Sequence, residues 1–146
     1  MAIAIGSDHG GLQLKAAIKQ YFTDKEIEFF DFGAQPGESV DYPDIAKTVA
    51  QAVAKGTYEQ GIIICGTGIG VSISANKVHG IRAALCSDVN SAKMSREHNN
   101  ANILTLGERV TGVGLALMIV ETWLATSFAG GRHERRVNKI GKMEQE

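Results

Sequence analysis

The chain carries almost no net charge: 15 Lys and Arg stand against 16 Asp and Glu, a formal charge of -1. The two signs are interleaved, and no Lys/Arg run offers a surface for nucleic acid or anionic lipid. A secretory leader is not expected either. The N-terminus reads MAIAIGSDHGG, with no basic segment, no long apolar stretch and no cleavage-type site. No segment approaches the roughly 20 apolar residues of a spanning helix. The longest apolar patch, residues 113–120, is interrupted by Gly114. Cysteine is scarce: Cys65 and Cys86 lack zinc-ligand spacing. Without a secretory signal, a reducing cytoplasmic setting with two free thiols is expected. Internal repeats, low-complexity tracts and linkers are absent. A chain of 146 residues can bury a core without disulfide or metal staples.

The pattern that is present is an alternation. Strand-like runs fall at residues 2–5, 27–32, 62–65, 82–86 and 102–106. Helical spacing fills the gaps at 12–22, 71–78 and 88–98, and from Asp41-Tyr42-Pro43 to Lys55, with Pro43 suited to a first turn. Val110, Val113, Leu117, Val120 and Leu124 predict one face of a long final helix. After Gly130-Gly131 a basic tail, RHERRVNKIGKMEQE, reads as a further helix. Ile62-Ile63-Ile64-Cys65 does not alternate in polarity, as expected of a strand covered on both faces. Strands alternating with helices imply βαβ units with right-handed crossovers. The expected architecture is α/β: a three-layer α/β/α Rossmann-like sandwich around a five-stranded parallel sheet. Residues 1–146 form one domain in this reading, with the tail from about 130 to 146 packing on a partner subunit. The strand order is left open.

In an open parallel sheet, ligands bind beyond the carboxyl ends of the strands. The residues expected there are Gly6 to Gly11 (GSDHGG), Cys65 to Gly70 (CGTGIG), Cys86-Ser87-Asp88 and Gly107-Glu108-Arg109, together with His98-Asn99 from the helix after strand four. CGTGIG leaves a buried strand and enters a helix. Its glycines allow close backbone approach and present N–H groups to an anion. It is neither a Walker A loop nor a dinucleotide fingerprint, because the G-x-x-x-x-G-K-[ST] and G-x-G-x-x-G orders are absent. On the turn alone, a ligand-free strand-to-helix connection explains the pattern as well as an anion site does. Cys65 tips the balance, since backbone N–H groups at this position favour a sulfur anion. A buried structural cysteine is the competing reading, and the preferred one for Cys86. Asp8-His9 could be a helix cap beside a solvated His. Arg132, Arg135 and Arg136 would ordinarily be a solvated face.

Taken in order, GSDHGG, ESVDYPD, CGTGIG, SANKVHGIRAALC, SREHNNANIL, GERV and GGRHERRV resemble the ribose-5-phosphate isomerase B family over nearly the whole chain. CGTGIG and REHNNAN carry most of the specificity. The resemblance implies an aldose–ketose isomerase that needs no metal and no cofactor. It implies Cys65 as the proton-transfer base, with Thr67 donating to the reacting oxygen or orienting the thiol. Gly66, Thr67, Gly68, Ile69 and Gly70 then form the anion hole, and His98, with Asn99 beside it, opens the sugar ring. Asp8 and His9 contact the sugar phosphate, Arg132 and Arg136 clamp the phosphate, and Arg109 adds a contact. Some relatives carry Glu where this chain has Val71, which cannot titrate. The implied partners are a small-molecule sugar phosphate and a second copy of the chain, as a homodimer or a dimer of dimers with shared active sites. Neither nucleic acid nor membrane is implied. Hexose 6-phosphates (allose 6-phosphate, galactose 6-phosphate) are alternative substrates. A non-catalytic phosphosugar-binding module and a flavodoxin-like or nucleotide-binding domain are the remaining alternatives.

Overall fold

A computed structural model describes residues 2–146. The chain runs β1 (Ile3–Ser7), α1 (Leu12–Asp24), β2 (Phe29–Asp31), α2 (Tyr42–Ala54), β3 (Gln60–Cys65), α3 (Ile69–Ala75), β4 (Ala83–Leu85), α4 (Val89–Glu97), β5 (Ile103–Gly107), α5 (Val113–Ala125), α6 (Arg132–Met143). The five strands form one sheet in the order β2-β1-β3-β5-β4. Every pairing is parallel; Ile5 lies opposite Ile62, and Ile62 opposite Leu104. This is the α/β sandwich that the alternation predicts, and it fixes the strand order.

Side-chain alternation along the strands divides the core in two. Ile62, Ile64, Leu104 and Leu106 face α1, α4 and α5, with Leu14, Ile18, Phe22, Ile119 and Trp123 packed on them. Ile63, Cys65 and Ile103 face α2 and α3, against Ile45, Val49, Val53, Val71 and Ala75. Each fully buried side chain of this kind contributes about 1.5–3 kcal/mol. Both faces of β3 are covered, which is why its sequence does not alternate. Its two neighbours diverge: the chain leaves β3 toward α3 on one face, and β1 and β5 toward α1 and α5 on the other. The crevice between those exits is where open sheets hold ligands.

The final long helix differs from its sequence reading. It begins at Val113, so Val110 lies outside it and is 62% exposed. The face against the sheet is Ala116, Ile119, Val120 and Trp123; Val113 is 49% exposed. A helix apolar on nearly all sides gives periodicity no contrast with which to choose a face.

One charged group is built into this framework. Lys15 on α1, 3% exposed, donates to Asp31 Oδ1 on β2 at 2.9 Å and to the Ala34 carbonyl. Lys19 and the Gly33 N–H donate to the same carboxylate. Burial raises the Asp31 pKa, but the hydrogen bonds from Lys19, Lys15 and Gly33 outweigh it and leave the carboxyl below its ordinary value. A depressed native pKa adds stability above the unfolded value, and that stability is lost as pH falls through the native one. Asp31→Asn strands the buried Lys15 ammonium and should cost about 3 kcal/mol at pH 7. Urea denaturation as a function of pH checks this. The gap to wild type should narrow in acid, below the ordinary Asp range, where the native carboxylate is itself protonated.

Candidate active site

The carboxyl edges of β1, β3 and β5 carry three loops that interlock. From β3, Cys65 enters a turn whose Gly68 has φ +79°, a left-handed conformation natural to glycine. That conformation folds the Gly68 N–H back onto Cys65 Sγ, at 3.1 Å. Thr67 Oγ1 accepts from the Ile69 N–H at 3.2 Å, and Thr105 Oγ1 fixes the Gly68 carbonyl at 2.9 Å. The N–H groups of Gly66, Thr67 and Gly70 have no hydrogen-bond partner among the described residues. A sulfur that accepts one backbone N–H, in a turn with further unpaired N–H groups, has the donors that an anion would require. Those donors are individual amides rather than the macrodipole of the short α3, 7 residues long.

The loop from β5 docks on this turn. The Glu108 and Arg109 N–H groups donate to the Cys65 and Gly66 carbonyls at 2.9 and 3.0 Å. The Arg109 guanidinium lies over Gly66, where a Cβ would be 3.2 Å from it. Gly107 is equally constrained: its Cβ would sit 2.5 Å from the Thr67 backbone. From β1, Asp8 is buried and accepts the Gly10 N–H at 2.8 Å, while its own N–H donates to the Ile64 carbonyl. His9 is exposed at the same edge. Cys65, Gly66, Thr67, Ile69, Gly70, Asp8 and Arg109 line one open cavity of ≈ 420 Å³, together with Tyr42 and Ile73. Val71 is fully buried behind it.

Tyr42 was not among the sequence-derived candidates. It opens α2, and helices that follow strands in this fold begin at the carboxyl edge. The YPD start after β2 therefore pointed to the same place as the other loops. Gly70 makes room for it, since a Cβ there would fall 2.5 Å from the Tyr42 ring.

His98 and Asn99 are not at this edge, contrary to expectation. A crossover helix returns the chain to the amino edge, and His98 ends α4 there. Arg82, just before β4, donates to the Asn99 and Asn100 carbonyls, and the Gly61 N–H at the start of β3 donates to the Asn102 carbonyl. The His98 ring stacks on His133 of α6, centroids 4.2 Å apart and 9° from parallel. Desolvation, followed by the positive charge of His98, Arg132 and Arg136, holds His133 below the ordinary imidazole range; Glu97 opposes the shift. Arg132 and Arg136 thus belong to a second cationic cluster, at the other end of the sheet from Cys65. A strand of six residues such as β3 spans about 20 Å. His133 is visible in GGRHERR, though nothing in the sequence pairs it with His98. Cys86 is buried, and desolvation, foremost, pushes its thiol up, as befits a structural cysteine.

The class of protein, shown by its relatives, is that of the sugar-phosphate isomerases, here on a doubly wound α/β fold. The model of the ribose/galactose isomerase family matches residues 3–140, and the chain belongs to that family. It is 49% identical over 143 residues to ribose-5-phosphate isomerase B of Escherichia coli (strain K12), covering 98% of this chain and 96% of the relative. It is 45% identical over 147 residues to D-erythrulose-4-phosphate isomerase of Pectobacterium atrosepticum, covering 100% and 97%. Among solved structures, ribose-5-phosphate isomerase B of Clostridium thermocellum superposes with a TM-score of 0.97 at 58% identity, over 99% of this chain and 98% of that one.

The tightness of the interlock gives a test. Gly107→Ala forces the Thr67 backbone to move. It should cost about 1–3 kcal/mol of stability, the usual range for overpacking, and lower sugar-phosphate isomerisation more than in proportion to the folded fraction. Urea titration and initial rates on the folded variant measure the two.

Proposed function

We propose that this chain interconverts ribose 5-phosphate and ribulose 5-phosphate, with the Cys65 thiolate as the proton-transfer base and no metal or cofactor in the reaction. The observation that carries the reading is the Gly68 N–H on Cys65 Sγ, beside the free N–H groups of Gly66, Thr67 and Gly70. A free thiol has a reference pKa of about 8.5 and needs such donors to act as a base at neutral pH. In the open-chain aldose, the sulfur takes the proton from C2 and the electron pair moves to the carbonyl oxygen. The resulting enediolate is held by the turn's N–H groups and the Thr67 hydroxyl. A proton passes from the C2 hydroxyl to the C1 oxygen, and return of the sulfur-borne proton to C1 gives the ketose, with no net oxidation. Losing one donor to a developing oxyanion typically costs about 3–4 kcal/mol.

Ring opening by His98 and phosphate binding by Arg132 and Arg136 require the amino-edge cluster to meet the carboxyl-edge cavity. A single chain holds the two apart by the length of the sheet. A two-fold pair of chains, in which each amino edge faces the other's Cys65 cavity, brings them together. In that pair, Asn99 accompanies His98, and Asp8, His9 and Arg109 contact the substrate from the Cys65 side. Ile69 and Ile73, 52% and 58% exposed at the cavity rim, are suited to such a contact. So is α6, which has no buried residue in the single chain. The single domain, its tail packed on a partner, and a cytoplasmic site of action where both thiols stay reduced complete the reading. Hexose 6-phosphates, and the four-carbon phosphate named for the Pectobacterium relative, are the competing substrates.

Isomerisation rates on ribose 5-phosphate, allose 6-phosphate, galactose 6-phosphate and D-erythrulose 4-phosphate rank the substrates; ribose 5-phosphate should show the highest kcat/KM. Cys65→Ala should remain folded and lose at least about 10³-fold in kcat, in line with the loss of a positioned base. Near-normal turnover would remove Cys65 from the role. Mixing inactive Cys65→Ala and His98→Asn proteins and allowing chains to exchange should restore up to about a quarter of wild-type activity, the statistical share of intact sites in a two-fold dimer. No restoration after exchange would show that sites are not shared.

A further inference from the structure

The three loops of the cavity are tied to one another unequally. β1, β3 and β5 lie side by side, with β3 in the middle. Backbone hydrogen bonds join the β3 loop to each neighbour: the Asp8 N–H to the Ile64 carbonyl, and the Glu108 and Arg109 N–H groups to the Cys65 and Gly66 carbonyls. The β1 and β5 loops are two strands apart and share no such ladder. They are joined by one side chain. Glu108 Oε1, at the end of β5, accepts the Leu14 N–H in the first turn of α1 at 2.7 Å, across 94 residues of sequence. No other hydrogen bond among the described residues connects these two segments.

The first turn of α1 has particular need of that acceptor. Helix N-termini leave N–H groups without internal partners, and a capping side chain ordinarily takes one. Here the cap position is Gly11, which has no side chain, and the first turn contains no acidic residue. No larger residue fits at Gly11, because a Cβ would lie 2.7 Å from Ile64 Cγ2 and 2.8 Å from its carbonyl oxygen. The close packing of α1's start on β3 therefore excludes a local cap, and Glu108 supplies one from a distance. Its negative charge also suits the helix N-terminus. The same residue carries, through its own N–H, the bond to the Cys65 carbonyl. Glu108 thus closes a ring running from the Asp8-His9 loop, through α1, to the Arg109 loop and back to the cysteine turn.

We infer that Glu108 is a positioning residue of the isomerase site, holding the Asp8-His9 loop in register with Cys65 and Arg109 by capping α1 from the neighbouring strand end. This rests on the isomerase reading only for its effect on rate. Small errors in the placement of reacting groups cost rate steeply, so the effect falls on kcat.

The discriminating pair is Glu108→Met and Glu108→Gln. Both keep the length and packing of the side chain, and only Gln keeps an oxygen acceptor for the Leu14 N–H. With ribose 5-phosphate, Glu108→Met should lower kcat about ten-fold or more, by the placement argument, while the inhibition constant for inorganic phosphate stays at the wild-type value. Glu108→Gln should stay within about three-fold of wild type, because a neutral acceptor still satisfies the cap. Hydrogen exchange gives a readout independent of activity: the Leu14 amide should lose protection in Glu108→Met and keep it in Glu108→Gln. Wild-type kcat in Glu108→Met, or equal losses in both variants with Leu14 still protected in Glu108→Gln, would overturn the assignment. Should the wild-type protein fail to turn over any sugar phosphate while the exchange pattern holds, the functional reading fails and the cap stands.

Discussion

The constraint that governs this molecule is the direction of its sheet. All strands run the same way, so each connecting helix must carry the chain back to the amino edge before the next strand can start. Strand ends and helix ends therefore lie on opposite sides of the protein. The cysteine turn, the Asp8 loop and Arg109 are delivered by strand ends; His98 and the tail that follows α5 are delivered by helix ends. Chemistry that needs both sets is beyond a single copy of the fold.

Within the carboxyl edge, glycine sets the geometry through contact as much as through flexibility. Gly68 needs its left-handed conformation to put an N–H on the sulfur. Gly11, Gly70 and Gly107 are required because other groups occupy the space of a side chain: Ile64, the Tyr42 ring and the Thr67 backbone. Close approach expels the side chains that would cap and pin these loops locally. Distant groups take over that work, Glu108 for α1 and Thr105 for the Gly68 carbonyl.

The two cysteines illustrate how placement decides chemistry. Both are buried and both are free. Cys86 has only a 4.0 Å contact with the Ser95 hydroxyl, near Asp88, and its thiol is pushed toward the neutral form. Cys65 stands at the mouth of a cavity with a backbone N–H directed at its sulfur. A similar contrast holds among the cations: Lys15 is locked in a structural carboxylate pair, while Arg109 remains exposed over Gly66.

The sequence by itself determined the order of strands and helices, the double-sided burial of β3 and the glycine turn after Cys65, because these depend on short-range periodicity and local backbone freedom. The family resemblance was legible too, in motifs scattered along the whole chain. Tertiary structure alone decided which face of α5 is buried, since Val113, Leu117 and Met118 look as apolar as Ile119 and Trp123. The parallel alternation already implied that a crossover helix ends at the amino edge, which separates His98 from Cys65; tertiary structure alone brought His133 onto His98, set Tyr42 against Gly70 and carried Glu108 to α1. Those relations join residues far apart in sequence through the packing of whole elements, which no local pattern encodes.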